Sequence, residues 1–143
     1  MRRATAPTIR PHNCSEASSQ DEIHLPLREQ FTRIAEYYST AFHESVHSTG
    51  HEKRLNRLSK NAHFGNTDYS KEELVAEVGA AILMNEMGLE TASSFRNSAG
   101  YVQNWLTALR NDSKMIVSAA GKAEKAVRLI MNMEDQKEMP AAA

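Results

Sequence analysis

Five consecutive residues, His43-Glu44-Ser45-Val46-His47, carry the densest chemistry in this sequence. On one helix the two histidines, four apart, project from the same face, and Glu44 stands beside them. Zn²⁺ takes imidazole nitrogens at about 2.0–2.1 Å, and side chains one turn apart can converge on a single ion at that distance. A catalytic ion needs a third protein ligand and an open position for water, whose pKa falls to about 7 when the ion polarises it. Glu44 follows His43 directly and so is expected to be no ligand but the general base, taking the proton of that water and passing it to a leaving amine. Such short strings also arise by chance, so the rest of the chain must supply the remaining ligand.

His47-x-x-Gly50 opens like the longer pattern H-E-x-x-H-x-x-G-x-x-H, but that pattern wants histidine six residues after the second ligand, where Lys53 stands. His51 lies only four past His47, beyond a glycine expected to end the helix, and is a poor substitute. Glu73 and Glu77 are better placed: they sit one turn apart beside an apolar stripe, where carboxylates are costly to bury unless a charge or a metal receives them. Glu73 is the expected third ligand, and Glu77 the residue that accepts a hydrogen bond from the outer nitrogen of a ligating histidine and fixes its tautomer. Two other readings stay open. Ser70-Lys71-Glu72-Glu73 fits a capping box, in which Glu73 bonds the backbone of Ser70, and both carboxylates could be solvated surface. Tyr69 and His63 are candidates to stabilise an oxyanion, although a tyrosine there could simply pack.

The elements that must hold these groups follow from periodicity. Phe31, Ile34, Ala35, Tyr38, Ala41, Phe42 and Val46 step by three and four along one face expected to be buried, which predicts a helix over 33–49 ended by Gly50 as a C′ residue. His51 to Leu58 reads as a short helix with Leu55 and Leu58 inward. A second strong helix is expected from Ser70 to Met87, stopped at Gly88, with Leu74, Val78, Ala81 and Ile82 buried. Two more, Ser98 to Asn111 around Trp105 and Ser113 to Met133, complete the helical set. Thr8-Ile9-Arg10 reads as a short strand, and Glu22-Ile23-His24-Leu25 as an edge strand closed by Pro26, where an extended substrate could add a strand. The order expected is an N-terminal arm over 1–20, one domain over 21–133 and a tail over 134–143.

Composition excludes several classes. At 143 residues the chain holds one domain with a real core. Seventeen basic against 18 acidic residues give a formal net charge of -1 and no electrostatic case for binding nucleic acid directly. No apolar run approaches a membrane span, and the N-terminus lacks the apolar core of a secretory signal, so a cytoplasmic protein is expected. The single cysteine, Cys14, forbids an internal disulfide. With His12 it makes a His-x-Cys pair that nothing nearby completes into a ligand set. There is no phosphate-binding glycine loop and no Ser/His/Asp nucleophile set.

The run Tyr37 to His51, then Arg54-Leu55, Phe64-Gly65 and Tyr69 to Glu77, resembles the C-terminal metallopeptidase domain of ArdC-type antirestriction proteins, a zincin-like domain also found in polyvalent proteins of plasmids and phages. Asp21 to Pro26 resembles the segment before the active-site helix, and Tyr101 to Leu106 the late helix. Together they cover residues 8 to 133. The resemblance implies an α+β, mostly helical fold of the gluzincin kind, a small sheet with about four main helices, closing around Zn²⁺. It also implies Glu73 as ligand and Glu77 behind the ligands. ArdC-type proteins usually carry an N-terminal domain that binds single-stranded DNA; nothing in this sequence matches it, so DNA binding is not carried over, and the chain is expected to be a fragment or a pared-down member. The activity implied is zinc-dependent peptide hydrolysis on a protein or peptide substrate. The alternative is an antirestriction or interaction module that uses the zinc-bound fold as scaffold without proteolysis. Specificity would lie in Asn61 to Asp68, Ile23 to Leu25 and Leu89 to Asn97. Oligomeric state is not encoded in any readable pattern.

Overall fold

In Glu22-Ile23-His24-Leu25-Pro26 the apolar side chains fall on one face of an extended chain. The computed structural model makes this segment strand β2 (Glu22–Pro26), with Ile23 and Leu25 buried. Strand β1 (Thr8–His12) pairs with it in parallel, Ile9 opposite Ile23 and Pro11 opposite Leu25. The structure describes residues 8–12, 21–58, 67–89, 100, 110, 112 and 114–133, among which these two strands are the sheet. The expected helix from Ser98 to Asn111 lies outside the described residues, except for Gly100 and Arg110, both helical. His63, Cys14, residues 90–97 and the tail lie outside them too.

Helix α1 (Ile34–Thr49) begins after Arg33, whose extended backbone (φ −124°, ψ 132°) precedes the first turn. Phe31, just before it, starts an aromatic row through Tyr37, Tyr38 and Phe42, with successive ring centroids 5.5–6.2 Å apart; Ile34 and Tyr38, expected on the buried face, are exposed instead. The C-terminal half of α1 buries Val46 completely. Gly50 closes the helix, but in right-handed geometry (φ −74°, ψ −11°) and not as the left-handed C′ residue expected. A Cβ there would stand 2.7 Å from Leu58 Cγ, so a larger residue would have to displace that leucine.

The short helix expected over residues 51–58 does not form; the segment is a series of turns. Asn56 takes φ 46°, a left-handed value that asparagine tolerates and a helix does not. The Leu55 N–H bonds to Thr49 O, and the N–H groups of Arg57 and Leu58 to Gly50 O, so the chain folds back over the end of α1. Leu55 packs on the core as expected. Leu58 does not point inward: it is 43% exposed.

Helix α2 (Thr67–Glu86) starts three residues earlier than its pattern suggests. It ends in a Schellman motif, with Gly88 at φ 64°, its N–H on Asn85 O and the Leu89 N–H on Met84 O. Helix α3 (Lys114–Ile130) presents Met115, Ala119, Ala123, Ala126 and Val127 to the core. Because α2 packs against both α1 and α3, it is buried around much of its circumference. Leu74, Val75 and Ala76 are all buried in succession, whereas Ala81, expected inside, is exposed. Full burial of Leu74 and Leu83 stabilises the fold by about 1.5–3 kcal/mol each. The contact that sets the α1–α2 spacing is Val46 against Gly79, where a Cβ would come within 2.7 Å of Val46 Cγ2. No described helix is long and apolar enough to cross a membrane.

Candidate metal centre

Close approach at Val46 and Gly79 brings the next residue of α1, His47, opposite the first turns of α2. His43 and His47 converge, Nε2 to Nε2, at 3.0 Å. Glu73 reaches into the same point: Oε1 lies 3.2 Å from His47 Nε2 and Oε2 3.7 Å from His43 Nε2. Tetrahedral ligands at zinc-like bond lengths of 2.0–2.1 Å stand about 3.3 Å apart, so the His43–His47 and His47–Glu73 separations are those of neighbouring ligands on one ion. Among the described residues, His43, His47 and Glu73 are the set of potential ligands whose donor atoms gather within 4.8 Å. His51 is outside that set and instead accepts a hydrogen bond from the Lys53 N–H at Nδ1.

The opposite ring nitrogens face carboxylates. His43 Nδ1 is 3.3 Å from Glu77 Oε1, the contact expected of Glu77. His47 Nδ1 is 3.3 Å from Glu72 Oε1, which the sequence reading missed. Glu72 is in turn held by Arg57, whose Nε donates to Oε2 at 3.1 Å and one terminal nitrogen to Oε1 at 2.8 Å. No spacing rule points to Glu72, since it is adjacent to Glu73 and about 100° away around the helix; the only signal was an acidic pair where one ligand was sought. The capping box does not form, because α2 begins at Thr67 and Ser70 lies within it.

With both Nδ1 atoms directed at carboxylates, both Nε2 lone pairs would meet at 3.0 Å unless a cation lies between them. Burial opposes charge on His47, but hydrogen bonds to Glu72 and Glu73 outweigh it and raise its pKa to about 9. The same contacts act in reverse on the acids: the His47 hydrogen bond lowers Glu73, and His47 with Arg57 lowers Glu72 against the effect of burial. Tyr69, at the start of α2, is pushed up by burial, by the charge of Glu73, by its hydrogen bond to that carboxylate and by the charge of Glu44. The phenol therefore stays protonated and able to donate.

Two adjoining hollows flank the centre. One of about 450 Å³ runs from Ile23 and His24 on β2 to His51; the other, about 510 Å³, takes in His43, Glu73 and Tyr69. Glu44, His47 and Leu58 border both. Arg54 ties β2 to this cleft: its Nε donates to Ser48 O at 2.7 Å and its terminal nitrogens grip both oxygens of Asp21, whose carboxyl is held below the usual range by that hydrogen bond.

A model of the MPTase-PolyVal family, described as a zincin-like metallopeptidase, matches residues 5–122. The chain is 42% identical over 118 residues to a DNA primase TraC of Escherichia coli, which covers 82% of this chain and 11% of the primase. It is 32% identical over 107 residues, 75% of this chain and 34% of the other, to the uncharacterized protein y4eC of Sinorhizobium fredii (strain NBRC 101917 / NGR234). Crystal structures of the antirestriction protein ArdC from plasmid R388 are 38% identical, with TM-scores of 0.70 for the Mn(II)-bound form and 0.66 for the metal-free form. Each covers 90% of this chain, which spans about half of ArdC and about a tenth of the primase. These relatives agree with the resemblance carried by Tyr37 to His51 and Tyr69 to Glu77, and a donor set of two imidazoles and a carboxylate suits a divalent metal. The chain belongs to the MPTase-PolyVal family of zincin-like metallopeptidases.

Proposed function

We propose that this chain is a zinc-dependent peptidase domain, with His43, His47 and Glu73 as ligands and Glu44 as general base. The observation that carries the reading is Glu44 itself: a carboxylate that is no ligand borders both hollows beside the ligand triangle, and a purely structural site needs no base. Zn²⁺ bound there would supply Lewis-acid polarisation of a water and of the scissile carbonyl. Glu44 removes the proton of the attacking water and delivers it to the departing amine, so one carboxylate serves as base and then as acid. Glu72 and Glu77 face the Nδ1 atoms of the two rings, which leaves both Nε2 atoms to the ligand role they would take. The Tyr69 hydroxyl, which borders the same hollow as the ligands, would turn from Glu73 to donate to the oxyanion. A protein or peptide lies across the cleft between β2 and α2.

The test is hydrolysis of an unfolded protein substrate by the zinc-loaded chain and by Glu44→Gln, with zinc content measured on both. One zinc per chain is expected in each, and hydrolysis only by the wild type; equal hydrolysis by both would remove Glu44 from the chemistry. A second reading, a binding module that acts against restriction without cleavage, draws on the name of ArdC, the 38%-identical antirestriction protein. It predicts that Glu44→Gln leaves any antirestriction effect intact.

A further inference from the structure

We infer that Arg57 is a positioning residue for the metal centre: through Glu72 it fixes the ring of His47 and thereby sets how tightly the centre holds a divalent ion. This rests on the metal-centre reading above and extends it to a residue outside the ligand set. The Arg57 side chain is only 8% exposed, and its guanidinium bridges two elements, α2 and the end of α1. Two of its bonds form a fork on Glu72, to Oε2 at 3.1 Å and Oε1 at 2.8 Å. The others go to the end of α1: Val46 O at 2.5 Å and Thr49 Oγ1 at 2.5 Å.

One side chain thus grips the carbonyl immediately before His47 and the carboxylate that receives the His47 ring. Main chain and ring of the same ligand are fixed relative to each other, with Glu72 Oε1 shared between Arg57 and His47 Nδ1. A planar fork can hold both acceptors at once; a lysine ammonium, with one point of charge, cannot reproduce that geometry. Arg57 is itself delivered by the turn at Asn56 and by its own N–H on Gly50 O. The competing reading makes Arg57 a cation at the C-terminus of α1, satisfying a terminal carbonyl and the helix dipole and nothing more.

The two are separated by metal affinity measured apart from folding. Zn²⁺ affinity is read by competition with a chelator, for the wild type, Arg57→Ala, Arg57→Lys, Glu72→Gln and the double variant Arg57→Ala/Glu72→Gln, each confirmed folded without metal by circular dichroism. Groups that orient ligands from outside the set typically change affinity 10- to 100-fold. Each single variant is therefore expected to bind about 10- to 100-fold more weakly, with no rescue by Arg57→Lys relative to Arg57→Ala. The double variant is expected to lose no more than the weaker single, because one linkage is broken twice. The visible absorption of the Co²⁺-loaded protein is expected to shift in the same variants. Folded variants within twofold of wild-type affinity, with unchanged cobalt bands, would reduce Arg57 to a helix cap and overturn the inference. If Arg57→Ala does not fold, Glu72→Gln, which keeps the side-chain shape, decides by the same criteria. A wild-type chain that binds no divalent ion overturns the metal-centre reading itself and this inference with it, which distinguishes the two failures.

Discussion

Metal and proton compete for the same nitrogen of His47, and the competition has a calculable size. In the metal-free protein the ring holds its proton up to about pH 9, because Glu72 and Glu73 outweigh its burial. Binding requires that proton to leave. The fraction of rings ready for metal is then roughly one in ten at pH 8 and one in a hundred at pH 7. Apparent affinity should rise about tenfold per pH unit from 7 to just below 9 and then level off. Calorimetric titration at about pH 7.5 in buffers of different ionisation enthalpy should count close to one proton released per ion. The same ring gives the metal-free fold its own pH dependence. Its folded pKa lies above the unfolded value of 6.5, so its contribution is complete below about 6.5 and is lost as pH rises through about 9. That displacement corresponds to an upper bound of about 3 kcal/mol, counted once because Glu72 and Glu73 take part in the same contacts. Urea midpoints of metal-free protein should fall across that window. An affinity flat between about pH 7 and 8.5 with no proton released would refute the reasoning.

Three further outcomes follow from particular contacts. Glu73→Ala should lose the metal, whereas Glu77→Ala should keep it with affinity about 10- to 100-fold weaker, as metal analysis after dialysis would show. Gly79→Ala should destabilise the fold by about 1–3 kcal/mol in chemical unfolding, since its Cβ would meet the fully buried Val46, whose branched side chain has nowhere to move. Tyr69→Phe should lower kcat by about 100-fold with KM little changed if the hydroxyl acts on the oxyanion; a change confined to KM would make Tyr69 a packing or binding residue.

Much of the centre was legible because helical spacing reports directly on which side chains share a face. His43 and His47 on α1 and Glu73 and Glu77 on α2 are each one turn apart, and the structure brings His43, His47 and Glu73 together with Glu77 behind His43. Glu72 and Arg57 were not legible by that route. Whether Glu72 meets His47 or solvent depends on how closely α1 and α2 approach, which Gly79 decides. Arg57 sits in a segment whose leucines suggested a helix, and a helix there would have carried its guanidinium elsewhere; the left-handed Asn56 and the bonds to Gly50 O make it a turn. Gly50 ends α1 as its position suggests, but in a right-handed conformation that makes no use of glycine's dihedral freedom. Local pattern located both strands and the three long described helices, but not the turns over 51–58 or the contacts that aim the second rank of carboxylates.

The most direct test of the centre is anomalous diffraction at the zinc edge from crystals of the zinc-loaded chain. A single peak is predicted about 2.0–2.2 Å from His43 Nε2, His47 Nε2 and one oxygen of Glu73, with Glu72 and Glu77 on the far sides of the rings. A peak ligated by Glu72 or Glu77 in place of Glu73, or no peak between the two histidines, would contradict it.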